Sequence, residues 1–136
     1  MEENLYQSKY QHIFYDKDAS IMHNIWLKDS EIMTQDDYKR ELVKMAELIE
    51  THKISRQLIN TLHFQYTIDI DLQQWTDEYI TKRTKEAGIK KAAFIIAEEI
   101  FSQMSIEQAM EGEEGKALDT RYFTSEEEAR EWLIKN

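Results

Sequence analysis

Apolar and polar positions alternate early in the chain. Between Ser20 and Leu27, Ile21, His23, Ile25 and Leu27 alternate with Met22, Asn24 and Trp26, the period of two that a strand imposes. Gln11–Tyr15 reads as a partner strand, and Asp16-Lys17-Asp18 as the polar turn of a hairpin. From Ser30 to Thr51 the period lengthens. Tyr38, Leu42, Met45 and Ile49 follow one another at +4, +3 and +4, which places them on one helix face, and Val43, Ala46 and Leu48 widen the stripe. Thr34 suits the N-cap. Asp36 and Asp37 fall in the first turn, where the helix dipole favours carboxylates, and Lys53 and Arg56 follow the end, where it favours cations.

Gln57–Leu62 reads as a strand. In His63–Ile70 the even positions are apolar, but the length and the aspartates that follow point to an extended loop leading into a helix. Asp69 or Asp71 caps that helix, with Leu72, Trp75 and Tyr79 as its inward stripe and Gly88 in the left-handed position past its end. Lys91–Ala97 is apolar on both alternating faces, which predicts a strand covered on both sides. Ser105 and Gln108 form a capping-box pattern for another helix, and Glu111–Lys116 reads as a charged loop. Arg121–Phe123 is a short strand. Ser125 and Glu128 repeat the capping-box pattern before a last helix with Ala129, Trp132 and Leu133 inward. The order β-β-α-β-α-β-α-β-α predicts an α/β (α+β mixed) fold with a mixed sheet. Right-handed crossovers place the helices mainly on one face. One domain over residues 1–136 is expected, with residues 1–10 as an N-terminal extension.

Composition narrows the function classes. With 17 Lys+Arg against 27 Asp+Glu the net charge is −10. Such a surface repels phosphates, and the strongest basic cluster is only Lys82-Arg83 with Lys85, so no nucleic-acid partner is expected. There is no Cys, which removes thiol catalysis, disulfides and cysteine-ligated metal sites. With no Pro and three Gly, a Gly-rich phosphate loop is absent. The acidic start Met1-Glu2-Glu3-Asn4 lacks the basic and apolar regions of a secretory signal, and the longest apolar run, Ala92–Ala97, is strand-sized. The expectation is a cytoplasmic protein without membrane insertion.

Several stretches in order give the chain a resemblance. They are Trp26; Met33-Thr34 with Asp37-Tyr38-Lys39; Asp71–Trp75; Gly88–Phe94; Ser105–Gln108; Arg121-Tyr122-Phe123; and Glu128-Ala129 with Trp132-Leu133. Over roughly residues 11–135 the set resembles the SpoIIAA-like (STAS-like) superfamily, in particular bacterial single-domain STAS/CRAL-TRIO-like proteins generally without assigned function. The signalling members carry a phosphorylatable Ser in an Asp-x-Ser-Gly pattern after the third strand. The comparable stretch here, Asn60–Leu72, holds Thr61, Thr67, Asp69 and Asp71 but neither Ser nor Gly, so the resemblance does not bring that switch with it. Lipid carriage by the CRAL-TRIO relatives needs a large apolar cavity, which a chain this short has little material to build beside a core.

Candidate chemistry is sparse. His12, His23, His52 and His63 have no ligand spacing, and His23 reads as a strand histidine with a hydrogen-bond partner. Asn60, Tyr66, Asp69, Asp71, Glu98 and Glu99 lie beyond strand ends, where open α/β sheets bind ligands, and form a candidate acidic rim. Against that, Asp69 and Asp71 are good helix caps, and no nucleophile–base–orienter set accompanies them. Trp26, with Met22 and Phe14, forms a candidate interaction patch if its strand face is open, and core if a helix covers it. The leading expectation is a non-enzymatic regulatory or accessory module that binds a protein partner, without catalytic residue, metal or cofactor. A symmetric homodimer is a further expectation. The alternatives are a small-molecule or lipid carrier with a pocket lined by Phe64, Tyr66, Trp75 and Phe94, and a metal-dependent or acid/base enzyme at the rim.

Overall fold

A computed structural model describes residues 2–103 and 119–135. The expected helix at Ser105 and the charged loop Glu111–Lys116 lie outside them. The fold is mixed α/β. Strands β1 (Glu2–Gln7), β2 (Gln11–Asp16) and β3 (Ile21–Trp26) run antiparallel, and β4 (Arg56–Asn60), β5 (Lys91–Ile95) and β6 (Asp119–Phe123) extend the sheet in parallel from β3. The six strands lie side by side in chain order.

The expected N-terminal extension holds the first strand. Its register with β2 slips between Asn4 and Tyr6: Asn4 faces Phe14 while Tyr6 faces Ile13. This bulge moves Tyr6 to the opposite sheet face from Asn4. Tyr6 there donates from its phenol to Glu41 Oε2 at 2.8 Å.

Helix α1 (Gln35–His52) follows a 3₁₀ turn, Lys28–Ile32, and forms where the pattern predicts. Thr34 Oγ1 accepts from the Asp37 N–H at 3.0 Å, and Asp37 Oδ2 accepts from the Thr34 N–H at 3.0 Å, a complete capping box. These bonds hold the Asp37 carboxyl below its ordinary range. At the other end Lys53 takes the left-handed conformation, φ 53°, and its N–H closes on Ile49 O.

The second helical region runs without a break through α2 (Ile70–Trp75), a π segment (Thr76–Thr81) and α3 (Lys82–Glu86). Asp69 is its N-cap, Oδ1 accepting from the Leu72 N–H at 2.9 Å. Gly88 follows at φ +121°, a conformation that strains any residue with a Cβ although nothing lies within 4 Å. The predicted inward stripe is corrected here. Leu72, Ile80 and Thr84 are buried, whereas Tyr79 is 60% exposed and Trp75 half-buried. Leu72, Thr76, Ile80 and Thr84 are spaced by four. At 3.6 residues per turn each such step advances about 40°, so three of them drift about 120° off one face. The wider π turns take up that drift.

The two long helical regions share one face, as expected, and a shorter helix covers the other. Helix α1 and the α2–α3 region share a core with Ile13, Met22 and Trp26. Helix α5 (Glu126–Ile134) packs on the opposite face of β4–β6, where Ala129 and Leu133 meet Ile21, Leu58, Ala93 and Ile95. The physical reason is the doubly apolar parallel strands: Leu58 and Ala93 face one way, Ile59 and Ala92 the other. Ser125 Oγ accepts from the Glu128 N–H at 3.3 Å and starts α5. Lys91 Nζ donates to the carbonyls of Trp132 (2.9 Å) and Lys135 (2.6 Å), a cation at the helix's negative end. The short helix α4 (Glu98–Ser102) follows β5.

Candidate ligand cleft

The loop from Thr61 to Ile68 leaves the carboxyl end of β4 and folds back over the α1 face. Thr61 donates to Ile95 O through both its N–H (3.0 Å) and its Oγ1 (2.8 Å), and the Gln65 N–H donates to the buried Ser30 Oγ at 3.1 Å. Rings complete the anchorage. Phe64 meets Trp26 edge-on at 5.0 Å, Tyr66 stacks on Tyr38 at 5.4 Å and 18°, and Trp75 meets Tyr38 at 6.4 Å.

Beneath this loop lies a cavity of about 600 Å³. Its floor is the sheet: Trp26 of β3, Gln57 and Ile59 of β4, Ala92 and Phe94 of β5, Thr120 and Tyr122 of β6. Tyr38, Leu42 and Met45 of α1 form one wall, Thr76, Ile80, Thr81 and Thr84 of the second helical region another, and Phe64 and Ile68 of the loop a third. Thr61 of the loop and the exposed Asp77 and Lys85 complete the lining. A chain of 136 residues therefore does contain space of ligand size, contrary to the expectation from length, within the range of about 300–1,000 Å³ that small-molecule sites occupy.

The polar atoms around this space are mostly committed. Thr76 Oγ1 donates to Leu72 O at 2.7 Å, so the Tyr38 phenol donates to Thr76 Oγ1 at 2.8 Å. Burial pushes the Tyr38 phenol above its ordinary range. Thr84 Oγ1 donates to Thr81 O at 3.1 Å. Gln57, 4% exposed, donates from Nε2 to Asn24 Oδ1 (3.1 Å) and to Met45 Sδ (3.0 Å).

The sequence candidates divide. Trp26 and Met22 are buried, 5% and 0% exposed, under the α1 face, so the open interaction patch gives way to core; Trp26 instead lines the cleft. Phe14 faces the other way, paired with His23. Asn60 also lies on the α5 face, in the row with Ile25 and Ile95, and its Oδ1 accepts from the Leu62 N–H. Tyr66 and Asp69 belong to the loop; burial raises the Tyr66 phenol above its ordinary range, and Asp69 is bound to the helix it caps and to Gln35 Nε2 at 3.2 Å. Asp71, Glu98 and Glu99 are exposed in the first turns of α2 and α4. Among the described residues no group of three or more His, Asp or Glu side chains is placed to hold a metal ion. Of the four residues expected to line a carrier pocket, Phe64 and Phe94 do so; Tyr66 stacks on Tyr38 and Trp75 meets Tyr38 edge-on, neither lining the cavity.

Sequence reasoning missed Gln57 and the threonine-bearing helix face. Gln11, Asn24 and Gln57 are single amides on otherwise apolar strand faces, a signal that acquires meaning only once the register is known. His23, buried on the α5 face, has Nδ1 3.0 Å from Glu2 Oε2 and 3.3 Å from Arg130 Nη2. That group joins β1 to α5 on the face away from the cleft.

The chain matches no protein-family model, no curated protein and no solved structure.

Proposed function

We propose that this protein binds a small, largely apolar molecule in the cleft between the sheet and the α1 and α2–α3 helices, and that it carries or senses that molecule without transforming it. The observation behind the proposal is the cavity of about 600 Å³, floored by Trp26, Ile59, Ala92 and Phe94 and walled by Ile80 and Phe64. A π segment in one wall supports it, because π turns cluster at functional sites. The second reading is the leading expectation, a module that binds a protein partner, which draws on the STAS-like resemblance, the acidic surface and the lack of a catalytic set; burial of Met22 and Trp26 takes away only the interaction patch offered for it. The order of elements from β2 onward, two strands and then alternating helix and strand, supports the STAS-like resemblance. Among the described residues no helix is long and apolar enough to cross a membrane. With the acidic, cysteine-free composition, we read the site of action as the cytoplasm.

The test is fluorescence of N-phenyl-1-naphthylamine, which brightens on leaving water. Wild-type protein is expected to bind it saturably, one molecule per chain. Ala92→Leu, which projects a larger side chain into the cavity, is expected to weaken binding at least about tenfold with the circular-dichroism spectrum unchanged. Equal binding by both proteins would place the probe elsewhere and remove the proposal.

A further inference from the structure

A row of buried amides crosses the sheet beneath α1 and ends at the cleft. Gln11 is fully buried, and its Nε2 donates to the main-chain carbonyl of Glu41 and to Glu41 Oε1, both at 3.2 Å. A main-chain carbonyl only accepts, so Gln11 must present its NH₂ there and its oxygen to the next residue. Asn24, also fully buried, donates from Nδ2 to Gln11 Oε1 at 3.2 Å. Its Oδ1 then accepts from Gln57 Nε2 at 3.1 Å. Each amide is oriented by the one before it, and the direction is set by a group that cannot reverse.

The consequence falls on Gln57. Its NH₂ is fixed toward Asn24 and Met45, and its carbonyl oxygen receives no hydrogen bond from a described residue. Gln57 lines the cavity, next in register to Ala92, whose short side chain leaves the amide uncovered. The oxygen is open to water from the cleft, and a ligand that displaces this water leaves the acceptor bare, at a cost in free energy, unless the ligand supplies a donor of its own. The threonine hydroxyls of Thr61, Thr76 and Thr84 do not, since each donates to a main-chain carbonyl.

We infer that the cleft selects amphiphiles that carry a hydrogen-bond donor, a hydroxyl or an N–H, and that Gln57 Oε1 is the acceptor that reads it. The inference deepens the proposed function and rests on the cleft being a ligand site. The apolar body lies along Ile59, Phe94 and Ile80 while the donor meets Gln57. Molecules whose polar end only accepts are discriminated against, because two acceptors then face each other out of water.

The test displaces N-phenyl-1-naphthylamine with 2-naphthol or with 2-methoxynaphthalene at neutral pH. The ether is the larger and more apolar of the two, so a cleft that reads only apolar area favours it. Wild-type protein is expected to bind the naphthol about tenfold more tightly, the scale of one buried hydrogen bond made or lost. Gln57→Leu is expected to abolish or reverse that preference. Displacement by both compounds without preference for the naphthol overturns the inference and leaves the ligand cleft standing. Absence of saturable probe binding removes both. The wild-type comparison needs no variant, so a Gln57→Leu protein that fails to fold leaves the test intact.

Discussion

Strands β4 and β5 are sandwiched between two unlike regions. On the α5 side, Leu58, Ala93, Ala129 and Leu133 are all 0% exposed, and helix and sheet meet with small residues at the contact. On the other side, the next residues along the same strands, Ile59, Ala92 and Phe94, face a cavity of about 600 Å³. Both faces are apolar, so hydrophobicity alone does not distinguish them. The helices do. Helix α5 turns Ala129 and Leu133 to the sheet, whereas the α2–α3 region turns Thr76, Thr81 and Thr84 toward it around a single buried isoleucine, Ile80. Where the side chains of helix and sheet fill the contact no space remains; where the helix presents the short side chains of threonines, the volume between it and the sheet stays unfilled.

The largest expected effect separates neighbours in sequence. Leu58→Ala should cost about 2–5 kcal/mol in urea unfolding, because the closed α5 face cannot collapse around the missing methyls. Ile59→Ala should cost less than about half as much, since its methyls already border open space. Equal losses would mean that the two faces are packed alike.

A smaller effect comes from Tyr38, on the cleft side. Burial holds its phenol above the ordinary value of 10.0, so the folded state keeps the proton that the unfolded chain loses. The stability this contributes is complete below the unfolded value and disappears as pH rises through the folded one. The difference in alkaline absorbance titration at 295 nm between wild type and Tyr38→Phe should show a phenol ionising later than a free tyrosine. A Tyr38 contribution at or below the ordinary value would show that the phenol is hydrated.

Much of this architecture is legible in the sequence. The hairpin of β2 and β3, the cap and face of α1, the loop after β4 and the start of α5 follow from short-range periodicity and capping chemistry, which one segment carries by itself. What escaped depends on neighbours. In β1, two glutamates and the bulge after Asn4 break the alternation that identifies a strand, and its pairing with β2 supplies what its pattern lacks. In the second helical region a stripe spaced by four is invisible to a 3.6-residue period, so Trp75 and Tyr79 looked inward in place of Ile80 and Thr84. The acidic rim grouped residues by strand end, but Asn60 points to the α5 face and Asp69 is taken up in capping. Gln57 was not legible at all, because its meaning comes from Gln11 and Asn24 on two other strands and from the empty space beside Ala92.

The central claim is that a small molecule occupies one face of these strands. Methyl-labelled NMR spectra of Ile, Leu and Ala residues, recorded while 2-naphthol is titrated in, test it most directly. The account predicts saturable shifts in the methyls of Ile59, Ile80 and Ala92, with those of Leu58, Ala93, Ile95 and Leu133 nearly still. Shifts concentrated in the second set, or no saturable shift in the first, would contradict it.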